Sequence, residues 1–133
     1  MVAKIFTDGA SRGNPGLAGA GIVIQCDDGK VLTHKEFLGK KTNNEAEYLA
    51  LILALKKARE AKIERVEVFV DSQLLERQIK GIYKVKAKNI FPLISKLREE
   101  KSFFKEFFIS HVPREKNKKA DALANEAIDE RFS

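Results

Sequence analysis

Four acidic residues occupy positions from which their side chains can act together on a ligand. Asp8 and Asp71 each end an apolar run typical of a strand, and Glu47 and Asp121 lie near the starts of two helical patterns. Two carboxylates about 4 Å apart repel by roughly 4 kcal/mol at an effective dielectric constant near 20, so a cluster needs a proton or a cation. Mg²⁺ prefers oxygen ligands, and two such ions about 4 Å apart stabilise the attacking and leaving oxygens of a phosphodiester displacement. The chemistry that this set suggests is metal-dependent cleavage of a nucleic acid.

Each of these acidic residues also has a purely structural interpretation. An aspartate before Gly or Ser at a strand end commonly forms a turn or a cap, which applies to Asp8 and Asp71. The helix dipole favours an acidic residue in the first turns of a helix, which applies to Glu47 and Asp121. The prediction therefore depends on the four occurring together and on a fold that brings them close.

The elements that must position these residues alternate along the chain after three consecutive strands. Apolar and β-branched runs predict strands, periodic apolar residues predict helices, and Gly, Pro, Asn and Asp mark turns. The predicted strands are residues 2–8, 21–25, 31–38, 66–70 and 103–110, with a loop at 13–16 and a hairpin turn at 27–30. The predicted helices are residues 43–61, 72–80, 89–100 and 120–128, with a polar turn at 116–119.

This order predicts an α/β fold with a mixed five-stranded sheet, three antiparallel N-terminal strands and helices on both faces. Asn43 or Asn44 is expected to cap the first helix, and Ser72 the second. If the strands before Asp8 and Asp71 are adjacent and parallel, both carboxylates emerge at one edge of the sheet, where open α/β sheets bind ligands. We expect residues 1–133 to form a single domain.

Charge is unevenly distributed along the 133 residues, which carry 25 Lys and Arg, 19 Asp and Glu, and a formal net charge of +6. Between residues 80 and 119 there are twelve basic and four acidic residues, so this segment holds the excess. Clustered Lys and Arg suit a polyanion such as nucleic acid, because phosphate contacts release counterions. A solvated helix surface is an equally good explanation of the charge alone.

Composition argues against several classes of protein. The longest apolar run, residues 49–55, is far shorter than the roughly 20 residues of a bilayer span, and the N-terminus lacks a signal-peptide pattern. The one cysteine, Cys26, forms neither an internal disulfide nor a cysteine-rich zinc site. We therefore expect a protein without a membrane span, located in the cytoplasm.

Four short motifs follow one another at spacings that fit this order of elements. They are Thr7-Asp8-Gly9-Ala10 with Gly13-Asn14-Pro15-Gly16, Thr42-Asn43-Asn44 with Glu47, Val70-Asp71-Ser72-Gln73, and Asn117 with Ala120-Asp121-Ala122-Leu123-Ala124. Together they resemble type 1 ribonuclease H over nearly the whole chain. The resemblance implies the ribonuclease H-like fold and an endonuclease that hydrolyses the RNA strand of RNA/DNA hybrids, leaving 5′-phosphate and 3′-hydroxyl ends.

The resemblance further implies two Mg²⁺ or Mn²⁺ ions, one activating the attacking water and the other stabilising the leaving 3′ oxygen. Their ligands would be Asp8, Glu47, Asp71 and Asp121. The family pattern selects Glu47, and Glu45, two positions away on another side of the helix, is assigned to the surface. Glu47 would also contact the ribose 2′-hydroxyl, the group that distinguishes RNA from DNA.

Five further motif residues are implied to contact the RNA minor groove or the DNA phosphates, and their amides and hydroxyls suit that role. They are Asn14, Thr42, Asn43, Asn44 and Gln73. Each asparagine before or at a turn also has a structural alternative, since Asn14 precedes a proline and Asn43 or Asn44 can cap a helix. Binding and capping are compatible.

Two departures from the family pattern affect the expected activity and affinity. The family has a histidine in a mobile loop, which assists proton transfer or product release, and His111 falls near that position. The loop here contains Pro-Arg, so Arg114 is the alternative candidate for the role of this histidine. In that case His111 only ends a strand. The region between Asp71 and Asp121 is shorter than in members with a basic, Trp-containing handle, and the chain has no tryptophan. Weaker hybrid binding, a preference for Mn²⁺ and acceptance of double-stranded RNA are therefore alternatives for this chain, which we expect to be a monomer.

Two other functions stay open at this point. A non-catalytic or weakly active module of the same fold would bind hybrid or double-stranded RNA, but four acidic residues at a buried edge cost stability unless they bind metal. A DNA nuclease of the transposase or resolvase type would share the metals. The Thr42-Asn43-Asn44 and Asp71-Ser72-Gln73 elements disfavour it.

Overall fold

The computed structural model describes residues 1–131, in which five strands form one sheet with helices against it. The strands are β1 (Val2–Gly13), β2 (Gly16–Cys26), β3 (Val31–Lys41), β4 (Arg65–Val70) and β5 (Glu106–His111). The helices are α1 (Asn43–Glu60), α2 (Gln73–Ile79), α3 (Phe91–Lys101) and α4 (Lys118–Glu130), and a 3₁₀ turn (Arg114–Lys116) precedes α4. The single domain over residues 1–133 stays a prediction, and its last two residues lie outside the described part.

The strands lie in the order β3-β2-β1-β4-β5. The first three form an antiparallel meander, whereas β4 pairs in parallel with β1, and β5 in parallel with β4. Parallel neighbours require crossover connections, and helices occupy the segments that lead to β4 and β5. The predicted mixed α/β sheet is confirmed, including the parallel pairing of the strands that lead to Asp8 and Asp71.

Helix α1 forms the main core with one face of the sheet because apolar residues occupy most of its circumference. Leu51 and Leu55 are fully buried and pack with Ile5 of β1 and Val68 of β4. Each such side chain contributes about 1.5–3 kcal/mol on burial, so this layer holds α1 firmly against β1 and β4. Neither α1 nor any other helix within residues 1–131 has the length and apolar character needed to cross a membrane.

Helix α4 covers the opposite face, where it packs on β1, β2 and β3. The helix and β2 approach closely at Gly21, where an added Cβ would lie 1.9 Å from the Ala120 carbonyl oxygen and 2.7 Å from the Ala124 amide nitrogen. Only glycine leaves room for the helix backbone there. Because Gly21 pairs with Asp8 across β2 and β1, this approach sets the first turn of α4 beside Asp8.

Strands β1 and β2 are longer than the sequence indicates. The Asp8-Gly9 pair is a turn signal, and the predicted end of β1 at Asp8 was wrong: the strand continues to Gly13 and pairs with β2 along its length. The turn between the two strands lies at Asn14-Pro15, within the loop predicted at residues 13–16. Pairing with a neighbouring strand overrides the local preference of Gly and Ala residues, which are poor strand formers.

The start of α1 also differs from the prediction. Thr42, not Asn43 or Asn44, caps the helix: its hydroxyl accepts a hydrogen bond from the Glu45 amide (3.1 Å), and the Glu45 carboxylate accepts one from the Thr42 amide (2.8 Å). Glu45 is therefore half of a capping box rather than a free surface residue. Ser72 caps α2 as predicted.

The later elements are found where they were predicted, with shifts of two or three residues at their starts. Helix α3 begins at Phe91 rather than at residue 89, and β5 begins at Glu106 rather than at residue 103. Helix α4 begins at Lys118, within the predicted polar turn, because the 3₁₀ turn supplies the change of direction earlier. These shifts leave Asp121 in the first turn of α4.

Candidate metal centre

Three of the four predicted acidic residues converge at one edge of the sheet. Asp8 and Asp71 each lie two residues beyond the Phe6–Phe69 pair of the parallel strands β1 and β4, so the register sets them side by side. Glu47, in the first turns of α1, completes the group, and one carboxylate oxygen from each of the three lies within 4.8 Å of the others. The expected closeness of Asp8 and Asp71 is thus confirmed, although Asp8 lies within β1 and only Asp71 follows the end of its strand.

Burial makes this cluster unfavourable when all of its members are ionised. Asp8 is 5% exposed and Glu47 is 8% exposed. Burial, together with the neighbouring Asp71 charge, raises the pKa of Asp8 from 3.8 to about 8. Burial and the Asp8 charge hold the pKa of Glu47 well above its usual value of 4.5. The group therefore retains protons, or binds a cation, at neutral pH.

Asp121 lies at the margin of the cluster rather than within it. Its carboxyl interacts with that of Asp8, and this contact adds to the rise in the Asp8 pKa. The Asn125 amide, one turn further along α4, donates to the Asp121 backbone carbonyl (3.0 Å) and to its Oδ1 (3.3 Å). Asp121 is thus held beside Asp8, where it can add a fourth oxygen to whatever Asp8 binds.

The donor set fits a divalent cation of the Mg²⁺ or Mn²⁺ class. The three clustered side chains offer only oxygen ligands, which such ions prefer. Glu47 Oε2 is buried without a hydrogen-bond partner among the described residues. A buried, unpaired carboxylate oxygen is costly, and a cation beside Asp8 and Asp71 would satisfy it.

Asn117 is a further buried residue of the site. It belongs to one of the sequence motifs, but no role was predicted for it. Its side-chain amide donates to the Thr7 carbonyl (2.8 Å) and to Asp71 Oδ2 (3.0 Å), and the residue is 2% exposed. Its position at the start of α4 was visible in the sequence, but contacts with residues 46 and 110 positions away were not.

A cleft of about 500 Å³ opens next to the carboxylates and brings together most of the predicted substrate residues. The Asn14 side-chain oxygen accepts a hydrogen bond from the Asn43 amide (3.0 Å) across its rim. The Asn44 side-chain amide donates a hydrogen bond to Gln78 Oε1 (3.2 Å), which connects α1 to α2. The predicted site residues that line the cleft are Asn14, Thr42, Asn43, Asn44, Glu47, Asp71 and Arg114.

The two candidates for the mobile-loop position are separated by the structure. Arg114, in the 3₁₀ turn, lines the cleft together with Asp71. His111 is the exposed last residue of β5 and is not among the lining residues found in the described part of the chain. Gln73, the first residue of α2, is exposed and also lies outside that lining.

The buried acidic residues predict that the metal-free fold loses stability as pH rises. Below about pH 4 Asp8 is protonated in both states, and as pH rises through about 8 the folded chain must ionise a buried acid that the unfolded chain ionises freely. Because the pKa of Asp8 is raised from 3.8 to about 8, we expect the free energy of unfolding in chelator to fall by about 6 kcal/mol across this interval. Millimolar Mg²⁺ is expected to restore most of the loss, because it binds the ionised cluster.

Urea unfolding followed by circular dichroism, in chelator and in Mg²⁺ at a series of pH values, measures this dependence. The chelator curve is expected to decline with pH, and the Mg²⁺ curve to separate from it increasingly above neutrality. A chelator curve that rises with pH would contradict the raised pKa values of Asp8 and Glu47.

Several known proteins resemble this chain over most of its length. A family model described as reverse transcriptase-like matches residues 6–127. Ribonuclease HI of Halobacterium salinarum is 42% identical over 126 residues, which make up 94% of this chain and 63% of that protein. The chain spans between 36% and 63% of the length of the first curated relatives that it matches.

Solved structures give close matches over the full length of the compared chains. The crystal structure of RNase H1 from Halobacterium salinarum matches with a TM-score of 0.94 and 40% identity, covering 98% of this chain and 99% of that one. LC11-RNase H1, solved in complex with an RNA/DNA hybrid, matches with a TM-score of 0.92 and 42% identity, covering 98% and 99%. With its motifs, sheet order and carboxylate cluster, the chain belongs to the type 1 ribonuclease H family.

Proposed function

We propose that this chain is a metal-dependent endoribonuclease that hydrolyses the RNA strand of RNA/DNA hybrids and leaves 5′-phosphate and 3′-hydroxyl ends. The observation that carries the proposal is the cluster of Asp8, Glu47 and Asp71, whose carboxylate oxygens lie within 4.8 Å of one another beside an open cleft. Membership of the ribonuclease H family and the likeness to a relative solved with an RNA/DNA hybrid support it.

The proposed metal ligands are Asp8, Glu47 and Asp71, with Asp121 as a fourth. Two divalent ions, Mg²⁺ or Mn²⁺, would supply Lewis-acid activation of the attacking water and stabilisation of the leaving oxygen. These carboxylates would hold the ions, and Glu47 would accept a hydrogen bond from the ribose 2′-hydroxyl, a group that DNA lacks. Both Arg114 and His111 are exposed, but only Arg114 lines the cleft, so it is better placed to stabilise charge on the reacting phosphate.

The proposed substrate contacts are the polar residues Asn14, Thr42, Asn43, Asn44 and Gln73. The first four line the cleft, where amides and hydroxyls can bind base edges, sugars and phosphates. Gln73 begins α2 two residues after Asp71, so a nucleic-acid strand that passes Asp71 would reach Gln73 next. We propose a single domain that acts as a monomer in the cytoplasm, where a free cysteine such as Cys26 stays reduced.

The experiment is cleavage of an end-labelled RNA/DNA hybrid in Mg²⁺, in Mn²⁺ and in chelator. Single-stranded RNA, double-stranded RNA and double-stranded DNA are the substrate controls. Cutting of RNA that requires both the hybrid and the metal supports the proposal. Cutting of duplex RNA at a similar rate would show that the substrates include double-stranded RNA. Binding of hybrid without cutting in either metal would show that the chain is a binding module and not an enzyme.

An exposed basic segment between α2 and α3 is expected to contribute to hybrid affinity. Lys84, Lys86 and Lys88 are exposed and lie close together in the chain, and their neighbours Ala87 and Asn89 line the cleft. Replacing all three lysines by Ala should weaken hybrid binding and lower the slope of log affinity against log salt by about 2–3, because each phosphate contact releases roughly one counterion. Fluorescence anisotropy at several salt concentrations measures the slope.

A matched variant removes three lysines elsewhere, Lys4, Lys30 and Lys56, and so keeps the change in net charge equal. Its salt slope should stay closer to that of the unmodified chain. Equal slopes for the two triple variants would remove the basic segment from the binding surface and leave only the effect of total charge.

A further inference from the structure

Asn117 contacts three of the four segments that carry the acidic residues. Its side-chain amide donates to the backbone carbonyl of Thr7, which is bonded to the amide nitrogen of Asp8, and to Oδ2 of Asp71. Its own backbone carbonyl accepts a hydrogen bond from the Asp121 amide (3.1 Å). One residue thus connects the strand of Asp8, the end of β4 and the first turn of α4.

Asn117 stands at the position of a helix cap, but its side chain does not act as one. The residue precedes α4, and its side chain makes no capping hydrogen bond to the helix. Its amide group instead donates to Thr7 and Asp71, away from α4. Asparagine at a helix start usually accepts a hydrogen bond from the helix backbone, so capping does not explain this side chain.

We propose that Asn117 is a positioning residue of the metal centre, which fixes the spacing of the Asp8 and Asp71 carboxylates and leaves one Asp71 oxygen for a divalent cation. The inference rests on the proposed function, because it assumes that these carboxylates bind metal. Hydrogen bonds to ligating carboxylates orient them and commonly change metal affinity or activity by 10- to 100-fold when removed.

The chemistry of the amide suits this role. Two acceptors, a carbonyl and a carboxylate, converge on one group, and a primary amide supplies two donors without adding charge. A lysine or arginine there would place a positive charge beside the cation site and compete with it. An apolar residue would remove both of these hydrogen bonds.

The test uses Asn117→Ala and Asn117→Leu, the second of which keeps most of the side-chain volume while removing both donors. Mn²⁺ binding to the chelator-treated chain is measured by isothermal titration calorimetry, and kcat and KM are measured on hybrid. We expect affinity for Mn²⁺ to fall by about 10- to 100-fold in both variants. We expect kcat to fall at limiting metal and to recover partly at high metal, with KM for hybrid within about twofold, because Asn117 does not line the cleft.

Ala124→Gly is the matched control, since it weakens α4 by about 2 kcal/mol, through lower helix propensity and the loss of a buried methyl group, without touching Asp71 or Thr7. It should lower the melting temperature and leave Mn²⁺ affinity unchanged. Circular dichroism confirms that each variant is folded at the assay temperature, and the Leu variant serves where the Ala variant is unfolded. Unchanged Mn²⁺ affinity in a folded Asn117 variant, or a loss equal to that of Ala124→Gly, overturns the proposal. Calorimetry measures Mn²⁺ affinity even if the chain cleaves no hybrid. Failure of the Asn117 proposal can therefore be distinguished from failure of the proposed function.

Discussion

Asp8→Asn is expected to lower the rate of RNA cleavage in a hybrid by about 10³-fold or more, which corresponds to about 4 kcal/mol of transition-state stabilisation. Asp8 is the member of the cluster that interacts with all three of the other acidic residues. It interacts electrostatically with Asp71 and Glu47, and its carboxyl group interacts with that of Asp121. An amide keeps the shape of the side chain but loses the negative charge that a divalent cation requires. The loss should therefore appear in kcat in both Mg²⁺ and Mn²⁺.

The same substitution is expected to stabilise the metal-free chain. The introduced amide would occupy the buried position without an ionisable group, and it can donate to the Asp71 or Glu47 carboxylate. The free energy of unfolding at pH 8 in chelator should rise by about 2 kcal/mol, and its decline with pH should become shallower. Opposite signs for activity and stability distinguish a ligand from a residue that merely supports the fold.

Measurement of kcat on hybrid, together with urea unfolding in chelator, tests both parts. Asp28→Asn is a suitable control because Asp28 is exposed in the turn between β2 and β3, where it accepts a hydrogen bond from the Lys30 amide (3.0 Å). It should retain normal cleavage. Asp8→Asn with more than about a tenth of the normal rate would be incompatible with Asp8 as a metal ligand.

Gly21→Ala is expected to destabilise the fold by about 3 kcal/mol or more, a large loss for the addition of one methyl group. The new Cβ would lie 1.9 Å from the Ala120 carbonyl oxygen and 2.9 Å from its carbonyl carbon. These are helix backbone atoms, so no side-chain rotation relieves the overlap. Either α4 moves away from β2 or the two strands shift locally.

Movement of α4 would also affect cleavage, because the first turn of this helix carries Asp121 and is preceded by Asn117. The free energy of unfolding in urea, and kcat at a temperature where the variant remains folded, should therefore both decrease. Gly29→Ala is the comparison: Gly29 has φ +91° with no atom within 4 Å of an added Cβ, so only backbone strain of about 1–2 kcal/mol is expected. A Gly21 variant as stable as the Gly29 variant would mean that α4 adjusts at little cost.

The order of elements and the closeness of Asp8 and Asp71 were predictable because both depend on local patterns. The apolar runs before the two aspartates mark strands, and parallel pairing of those runs brings the residues that follow them together. Glu47 and Asp121 followed from the family motifs, since helical periodicity alone does not distinguish Glu47 from Glu45. The structure gives that distinction a physical basis: Glu45 is used by the Thr42 cap, and Glu47 points to Asp8.

Features that depend on contacts between distant residues were not predictable. The continuation of β1 beyond Asp8 requires β2 beside it, and Asp-Gly alone indicates a turn. The close approach of α4 at Gly21 and the two hydrogen bonds of Asn117 depend on how the helix lies on the sheet. Arg114 and His111 are three positions apart, and only the direction of the 3₁₀ turn shows which one lines the cleft.

The hydrogen bond between Asn14 and the Asn43 amide has a consequence for the entropy of binding. It joins the tip of the β1–β2 hairpin to the first turn of α1, and the Ser11 hydroxyl reinforces this connection by donating to the Lys41 carbonyl (2.8 Å). The hairpin tip is thus restrained in the free chain, and its loss of conformational freedom accompanies folding rather than ligand binding. A ligand that contacts Asn14 and Asn43 meets a preorganised rim, so its affinity is not reduced by ordering that loop.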